Sequence, residues 1–467
     1  MVAGNLKFVA AALSVAYVSF SHGANLETET LQAQIDAASR SGGGRVVVTA
    51  GRHLTGQLYL RNNVELHLEA GAVLEGAVGL HNYVVHYLPF SEGTMSAIVM
   101  GLGVTNVAIT GSGEIFGNGR EFERIRTVGG CEEGFRPRGI FIGDSRNIRL
   151  EGFTLRDAAC WGIVIQRCED VVARKVNIDS VVNANNDGFD IEARNVLIED
   201  CDVHSSDDGI CLKSNDPGYV VENVAVRNCR VSSHCSVMKL GTATHGTMRN
   251  IRFEHVVVVP PRRFFRDLVP MPKDLTVNNS QMGVPEFLCG PAMAAICVEC
   301  VDGGVVENVV FDDIDVSGAS VLLHIRGGFR SGRACGIPPR NEKILRGIVI
   351  SNVRGRAEQA RPSTILGCDA CRVRDVTLRN VDTECVGEGA ERNAKPYSIP
   401  GEEVAGMYPD AFLFKDYHLP SYGLFADHAD DIRLENVRFT LRKGTKDSRP
   451  AVMGVGGTSG ETPSCRF

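Results

Sequence analysis

The chain has 467 residues, 51 of them glycine and one tryptophan, with 43% apolar and 22% charged side chains. That composition is too hydrophobic for disorder, and its length favours two or three domains unless a repetitive architecture lets one core keep growing. A net charge of −7, from 49 basic and 56 acidic residues, gives no general reason to bind nucleic acid or an anionic membrane, so any polyanion must meet a local basic site.

The first element is a targeting segment. Lys7 precedes an apolar run from Phe8 to Phe20 and then the small residues Ser21, Gly23 and Ala24, which predicts a signal peptide over residues 1–24 and an exported, soluble mature chain. A buried helix or membrane anchor is the alternative, but the run falls short of the ~20 residues a span needs, and no other stretch is long and apolar enough. Gln32 to Ala38 is the one plausible helix, placed to cap whatever repeat follows.

From there a short phrase recurs: Asn or Asp, a β-branched residue, a variable residue, then another apolar one. Copies begin at Asn63, Asn106, Asn147, Asn195, Asn223, Asn250 and Asn308, and later at Asp375 and Asp431. Consecutive copies lie roughly 23–28 residues apart, a solenoid period. Within one period three apolar alternations follow one another, as at Ile148–Leu150, Phe153–Leu155 and Ile163–Ile165, which predicts strands of about 3–5 residues and no helix. Three strands per repeat make a parallel β-helix, with aliphatic ladders inside and αL-tolerant asparagines at the turns. A leucine-rich repeat fails because no helix follows each strand and its consensus is missing. Residues 25–467 thus read as one all-β solenoid of ten or more coils, interrupted by Gly-, Pro- and charge-rich insertions near 260–291, 327–345 and 383–430 that suit binding walls.

Fifteen cysteines are few for this length and odd in number. Cys297/Cys300 and Cys368/Cys371 form CxxC pairs, but they are much farther apart than the about 15–20 residues of a zinc ribbon. Alternation also points residues three apart to opposite strand faces. Buried thiols with a few disulfides are expected, and no metal or other cofactor.

Aligning coils by their inward aliphatics stacks Trp161-Gly162-Ile163 on Asp187-Gly188-Phe189, then on Asp208-Gly209-Ile210, then on Ser236-Val237-Met238. Asp187, Asp207 and Asp208 are thereby gathered at one point, where like charge raises at least one pKa. Carboxyls with separated pKa values are the equipment of glycoside hydrolysis. From spacing alone, a calcium site or turn-capping aspartates remain open.

Asn185-Asn186-Asp187-Gly188 and Asp207-Asp208-Gly209 resemble the Asn-Thr-Asp and Asp-Asp motifs of the polygalacturonase family, family 28 of the glycoside hydrolases. The resemblance extends from Gly42–Val48 through Ile109–Ile115 and Arg136–Gly139 to the phrases near Asn308. It implies a right-handed β-helix and inverting hydrolysis of α-linked uronic-acid polymers, with Asp207 as general acid and Asp187 with Asp208 activating water. Asn185 falls in the substrate-binding motif. His324-Ile325-Arg326 matches the family's basic motif loosely and makes Arg326 the candidate cation for a substrate carboxylate, a pairing that suits its planar fork.

The chain departs from the family at Gly-His-Gly, where it has Ser233-His234-Cys235-Ser236. Strict alignment puts Ser236 beside Asp208; His234 reaches the site only through a bulge, and His245 reads as a turn residue. Lys213 and Lys239 offer positive charge instead. Lys239 faces outward in register with Asp190, to neutralise a uronate or to pair with Asp190. Trp161 either stacks on a sugar or packs. The expected partner is an anionic polysaccharide or oligosaccharide, met by a secreted monomer in the extracellular space or periplasm that binds neither nucleic acid nor membrane. A calcium-dependent polysaccharide lyase and a non-catalytic glycan-binding β-helix are the competing readings.

Overall fold

The computed structural model describes residues 26–93, 95–122, 126–127, 130–131, 136–263, 290–329, 342–387, 395–396 and 417–455. Residues 1–24, expected to be a signal peptide, and the interiors of the three insertions lie outside the described residues.

The repeats wind into coils whose strands pair in parallel with the same segment one coil later. The ladder that carries the site runs through Ala97–Leu102, Arg138–Gly143, Ile163–Arg174, Phe189–Glu199, Ile210–Ser214, Ser236–Thr244, Ala292–Cys300, Val305–Gly327 and Ser363–Leu366. Two inward columns follow from this register. Ile163, Phe189, Ile210, Met238, Ile296 and Leu323 stack in one, and Ile165, Ile191, Leu212, Leu240, Val298 and Ile325 in the other. All are at most 1% exposed, each worth about 1.5–3 kcal/mol of burial. One core therefore grows with each coil.

The asparagines take the turn role expected of them. Asn63, Asn106, Asn147, Asn195, Asn223, Asn250 and Asn308 all have φ between 55° and 62°, the left-handed region that Asn tolerates best after glycine. Their amides also bond from coil to coil: Asn223 Nδ2 donates to Asn195 Oδ1 at 3.1 Å, and Asn308 Nδ2 to Asn250 Oδ1 at 2.6 Å. One αL residue turns the chain without interrupting the ladder, so strands run longer than the 3–5 residues expected. Val305–Gly327 is continuous over 23 residues and contains the αL residues Asn308 and Asp313.

The helix Thr28–Arg40 buries Leu31 and Ile35 against the first strands. No helix among the described residues is long and apolar enough to cross a membrane. The eleven cysteines whose side chains are described are all buried, and none is bridged to another of them, so the few disulfides expected are not found within this set.

Candidate active site

Three successive coils meet at the site. Pairing Phe189 with Ile210 and Ile210 with Met238 sets Asp187 beside Asp208 and Asp208 beside Ser236, each about 4.8 Å from the next. The Gly188 N–H donates to the Asp208 carbonyl, and the Gly209 N–H to the Ser236 carbonyl, both at 2.8 Å. These two glycines do not serve a left-handed turn, since neither has positive φ. A Cβ on Gly188 would stand 2.3 Å from the Gly209 carbonyl oxygen, and one on Gly209 2.6 Å from that of Val237. Glycine follows each aspartate because the coils touch there.

Each aspartate has its own lock. Asn186, fully buried, accepts the Val182 and Asn183 N–H groups at 3.1 and 2.7 Å and donates to the Ala158 and Cys160 carbonyls at 2.9 and 3.1 Å, which fixes the turn that delivers Asp187. The Asp207 carbonyl accepts Ser205 Oγ at 2.9 Å and Ser233 Oγ at 2.6 Å, and Ser233 Oγ also accepts the Cys235 N–H at 2.8 Å. That turn brings the Cys235 thiol to the acids: one ligand atom each of Asp207, Asp208 and Cys235 lies within 4.8 Å of the others. The Ser236 N–H points at Asp208 Oδ1 from 3.3 Å.

The electrostatics follow from stacking acids in a dry place. Burial, then Asp190 and Asp207, pushes the Asp187 carboxyl well above its ordinary value. Burial and Asp208 raise Asp207 to about 6 against the pull of Lys239. Two ammonium groups balance the cluster. Lys213 Nζ lies 3.1 Å from Asp190, 3.7 Å from Glu92 and 4.0 Å from Asp187; Lys239 Nζ lies 3.0 Å from Asp208 and 3.7 Å from Glu299. Burial opposes charge on both lysines, but the surrounding carboxylates outweigh it and hold both well above the ordinary lysine value.

The structure thus brings Asp187, Asp207, Asp208, Lys213 and Lys239 together, and it corrects several roles. Lys239 keeps the predicted register opposite Cys211, yet its partners are Asp208 and Glu299, not Asp190; Lys213 takes Asp190. Both lysines are buried and committed to acids, so neither offers a free cation to a uronate. Arg326 is 0% exposed, with Nη1 donating to the Gly367 carbonyl at 3.0 Å, and presents no face to a substrate carboxylate. Asn185 Oδ1 accepts Arg136 Nη2 at 2.9 Å, which ties the amide into its turn. His234 turns away: its ring nitrogens face the Gly290 and Arg263 carbonyls at 2.8 and 2.9 Å, at the rims of the 260–291 insertion. His245 is fully buried. Trp161 is engaged by cations, with Lys213 Nζ 4.0 Å and Arg138 Cζ 4.7 Å from its ring centroid, and so is no open stacking platform.

Sequence reasoning passed over Glu92, Asn186, Cys235 and Glu299. Alignment with Ser236 could have flagged Cys235 one residue away. Glu92 and Glu299 come from other coils and leave no local signal.

Comparison with known proteins agrees with the geometry. Residues 47–260, which include all three aspartates, match the model of glycosyl hydrolases family 28. The "Probable polygalacturonase" of Vitis vinifera is 27% identical, over 51% of this chain and 52% of that protein. The "Probable rhamnogalacturonase C" of Aspergillus niger is 24% identical, over 58% of this chain and 49% of that protein. The chain thus spans about half the length of these curated relatives. Among solved structures, an exopolygalacturonase from Thermotoga maritima superposes with a TM-score of 0.64 at 19% identity, covering 88% of each chain. A family 28 exopolygalacturonase from Yersinia enterocolitica gives 0.63 at 18%, over 94% of this chain and 76% of that one. At such identities these structures speak to the fold, which is the polygalacturonase-like β-helix, and the part of the chain that matches the family 28 model, residues 47–260, holds the coils that carry the aspartates.

Proposed function

We propose that this chain is a secreted, inverting glycoside hydrolase that cleaves α-glycosidic bonds of an anionic, pectin-type polysaccharide or oligosaccharide. The observation that carries this reading is the Asp207 carboxyl, raised to about 6 beside an Asp208 that is clamped by Lys239. An acid that keeps its proton near neutral pH, next to a carboxylate held in place by an ammonium, is the pair that glycoside hydrolysis requires. Asp207 donates its proton to the departing glycosidic oxygen. Asp187 and Asp208 hold and deprotonate the attacking water; Asp187 Oδ1 is buried and has no hydrogen-bond partner among the described residues, an unmet acceptor that suits that water. The family match supports the reaction class, and the family's chemistry supports inversion.

The leader pattern over 1–24 supports export to the extracellular space or periplasm. The unbroken core supports one right-handed β-helix domain of ten or more coils over 25–467, working as a monomer without a cofactor.

The test is Asp207→Asn on polygalacturonate and rhamnogalacturonan, read by new reducing ends. A loss of ~10²–10⁴-fold is expected, and retained turnover overturns the assignment. An unsaturated, ultraviolet-absorbing product that a chelator abolishes would indicate a lyase instead, and binding without new reducing ends a glycan-binding protein. Proton NMR of the first-formed anomer checks inversion.

A further inference from the structure

One coil beyond Asp207 the chain sends consecutive side chains two ways. His234 faces the carbonyls of Gly290 and Arg263. Cys235 turns toward the acids: its Sγ and one carboxylate oxygen each of Asp207 and Asp208 lie within 4.8 Å of one another. Cys235 is 4% exposed and held on three sides. Its N–H donates to Ser233 Oγ at 2.8 Å, its carbonyl accepts the Met293 N–H at 2.6 Å, and its side chain belongs to a small apolar cluster with Met293, Ala294 and Cys297. The backbone that carries the thiol is thus fastened beside the acids.

Asp207 has few other restraints. Its Oδ1 accepts the Asp208 N–H at 3.0 Å. Among the described residues no cation pairs with its carboxyl, because Lys239 is taken by Asp208 and Glu299, and Lys213 by Asp190, Glu92 and Asp187. The titratable groups that face it are Asp187 from the coil before, Asp208 and Lys213 from its own coil, and Lys239 and Cys235 from the coil after. Burial and Asp208 push its carboxyl up, while Lys239, Cys235 and Lys213 pull it down. The two lysines act through charge alone, and the thiol acts through a hydrogen bond. A thiol is a weak donor, yet in a dry site a donor aimed at a carboxylate still favours the ionised form and fixes its direction.

We propose that Cys235 is a positioning residue for Asp207, its S–H donating to the carboxyl and fixing which way that carboxyl faces. The same bond eases release of the Asp207 proton and sets the pH at which the acid is spent. The inference rests on reading Asp207 as the general acid of a glycan hydrolase.

The test compares the full chain with Cys235→Ala and Cys235→Ser, on whichever of polygalacturonate and rhamnogalacturonan it cleaves. General acid catalysis needs Asp207 protonated, so the alkaline limb of kcat/KM follows its pKa. Removing the thiol takes a donor from the carboxylate, and in Cys235→Ala the limb should move up by about half to one pH unit. The hydroxyl of Cys235→Ser should return it toward the parent. A thiol that serves packing alone would cost stability in the alanine variant and leave the limb in place; that result, or a serine variant that tracks alanine, overturns the proposal. Melting temperature against pH reads the same bond without turnover. The Asp207 contribution fades as pH rises through its folded-state value of about 6, so the fall should extend to higher pH in Cys235→Ala. That difference should vanish when both chains carry Asp207→Asn. Hydrolysis that Asp207→Asn abolishes, with limb and melting curve unmoved by Cys235→Ala, defeats the positioning role alone. A shifted melting curve in a chain that hydrolyses no glycan defeats the hydrolase reading alone.

Discussion

Two columns of polar side chains run along the same coils on opposite principles. At the corners, Asn195, Asn223, Asn250 and Asn308 stack on one another, and the amides of Asn223, Asn250 and Asn308 each donate to the asparagine of the coil before. A neutral group that is both donor and acceptor can repeat indefinitely and gains a bond at every step. In the site, Asp187 stacks on Asp208 with Asp207 alongside, and a carboxylate repeated at the same spacing repels its neighbour. The corner column stabilises the fold by being alike; the aspartate column persists only because Lys213 and Lys239 are buried with it. Chemistry is located where the repeat stops helping itself.

The largest effect is on turnover. Asp207→Asn should lower activity by ~10²–10⁴-fold yet spare the fold, because it removes a charge from a repelling cluster. Its stability signature follows from linkage. The folded-state pKa of Asp207 is raised to about 6, so its contribution is complete below the unfolded value near ~4 and is lost as pH rises through ~6. Melting temperature measured between pH ~4 and ~7 should fall less steeply in the variant than in the parent. Parallel curves would mean that Asp207 is not the perturbed acid, and the hydrolase assignment would lose its main support.

Next comes the balancing charge. Lys239→Met leaves Asp208 without its ammonium in a site where Lys239 itself is 4% exposed, and breaking a buried pair costs about 3–5 kcal/mol. Urea unfolding should show that loss, and adding Asp208→Asn should restore much of it. If the double variant is no more stable than the single one, the lysine serves packing and not charge.

Much of this contrast was legible in the sequence. The spacing of the Asn phrases gave the coils, and aligning Ile163, Phe189, Ile210 and Met238 gave the register that stacks Asp187 on Asp208. Both depend on periodicity, which a single chain displays. What stayed hidden depends on which distant side chains fill the space around a group. Lys239 was expected either to neutralise a uronate or to pair with Asp190, two strands away in the column; it reaches Asp208, and Lys213 takes Asp190. Arg326 looked like a surface cation, but burial is a property of the loops and coils over it. His234 was weighed by coil alignment, which let it reach the site only through a bulge, whereas the carbonyls of Arg263 and Gly290 decide where its ring points. For the lone Trp161 the sequence left sugar stacking and packing both open, and two cations against its ring decide for packing.

The smallest effect separates two causes within the corner column. Asn223 has φ of 57°, donates to Asn195 and accepts from Asn250 at 3.4 Å. Asn223→Ala loses both side-chain bonds and must also place a Cβ in the left-handed region; Asn223→Gly loses the same bonds but takes that conformation freely. The alanine variant should cost about 1–2 kcal/mol and the glycine variant less, both read by urea unfolding. Their difference isolates the corner geometry from the amide ladder. Equal losses would mean that the stacked amides alone stabilise the corner, and the contrast with the aspartates would then rest entirely on whether neighbouring side chains bond or repel.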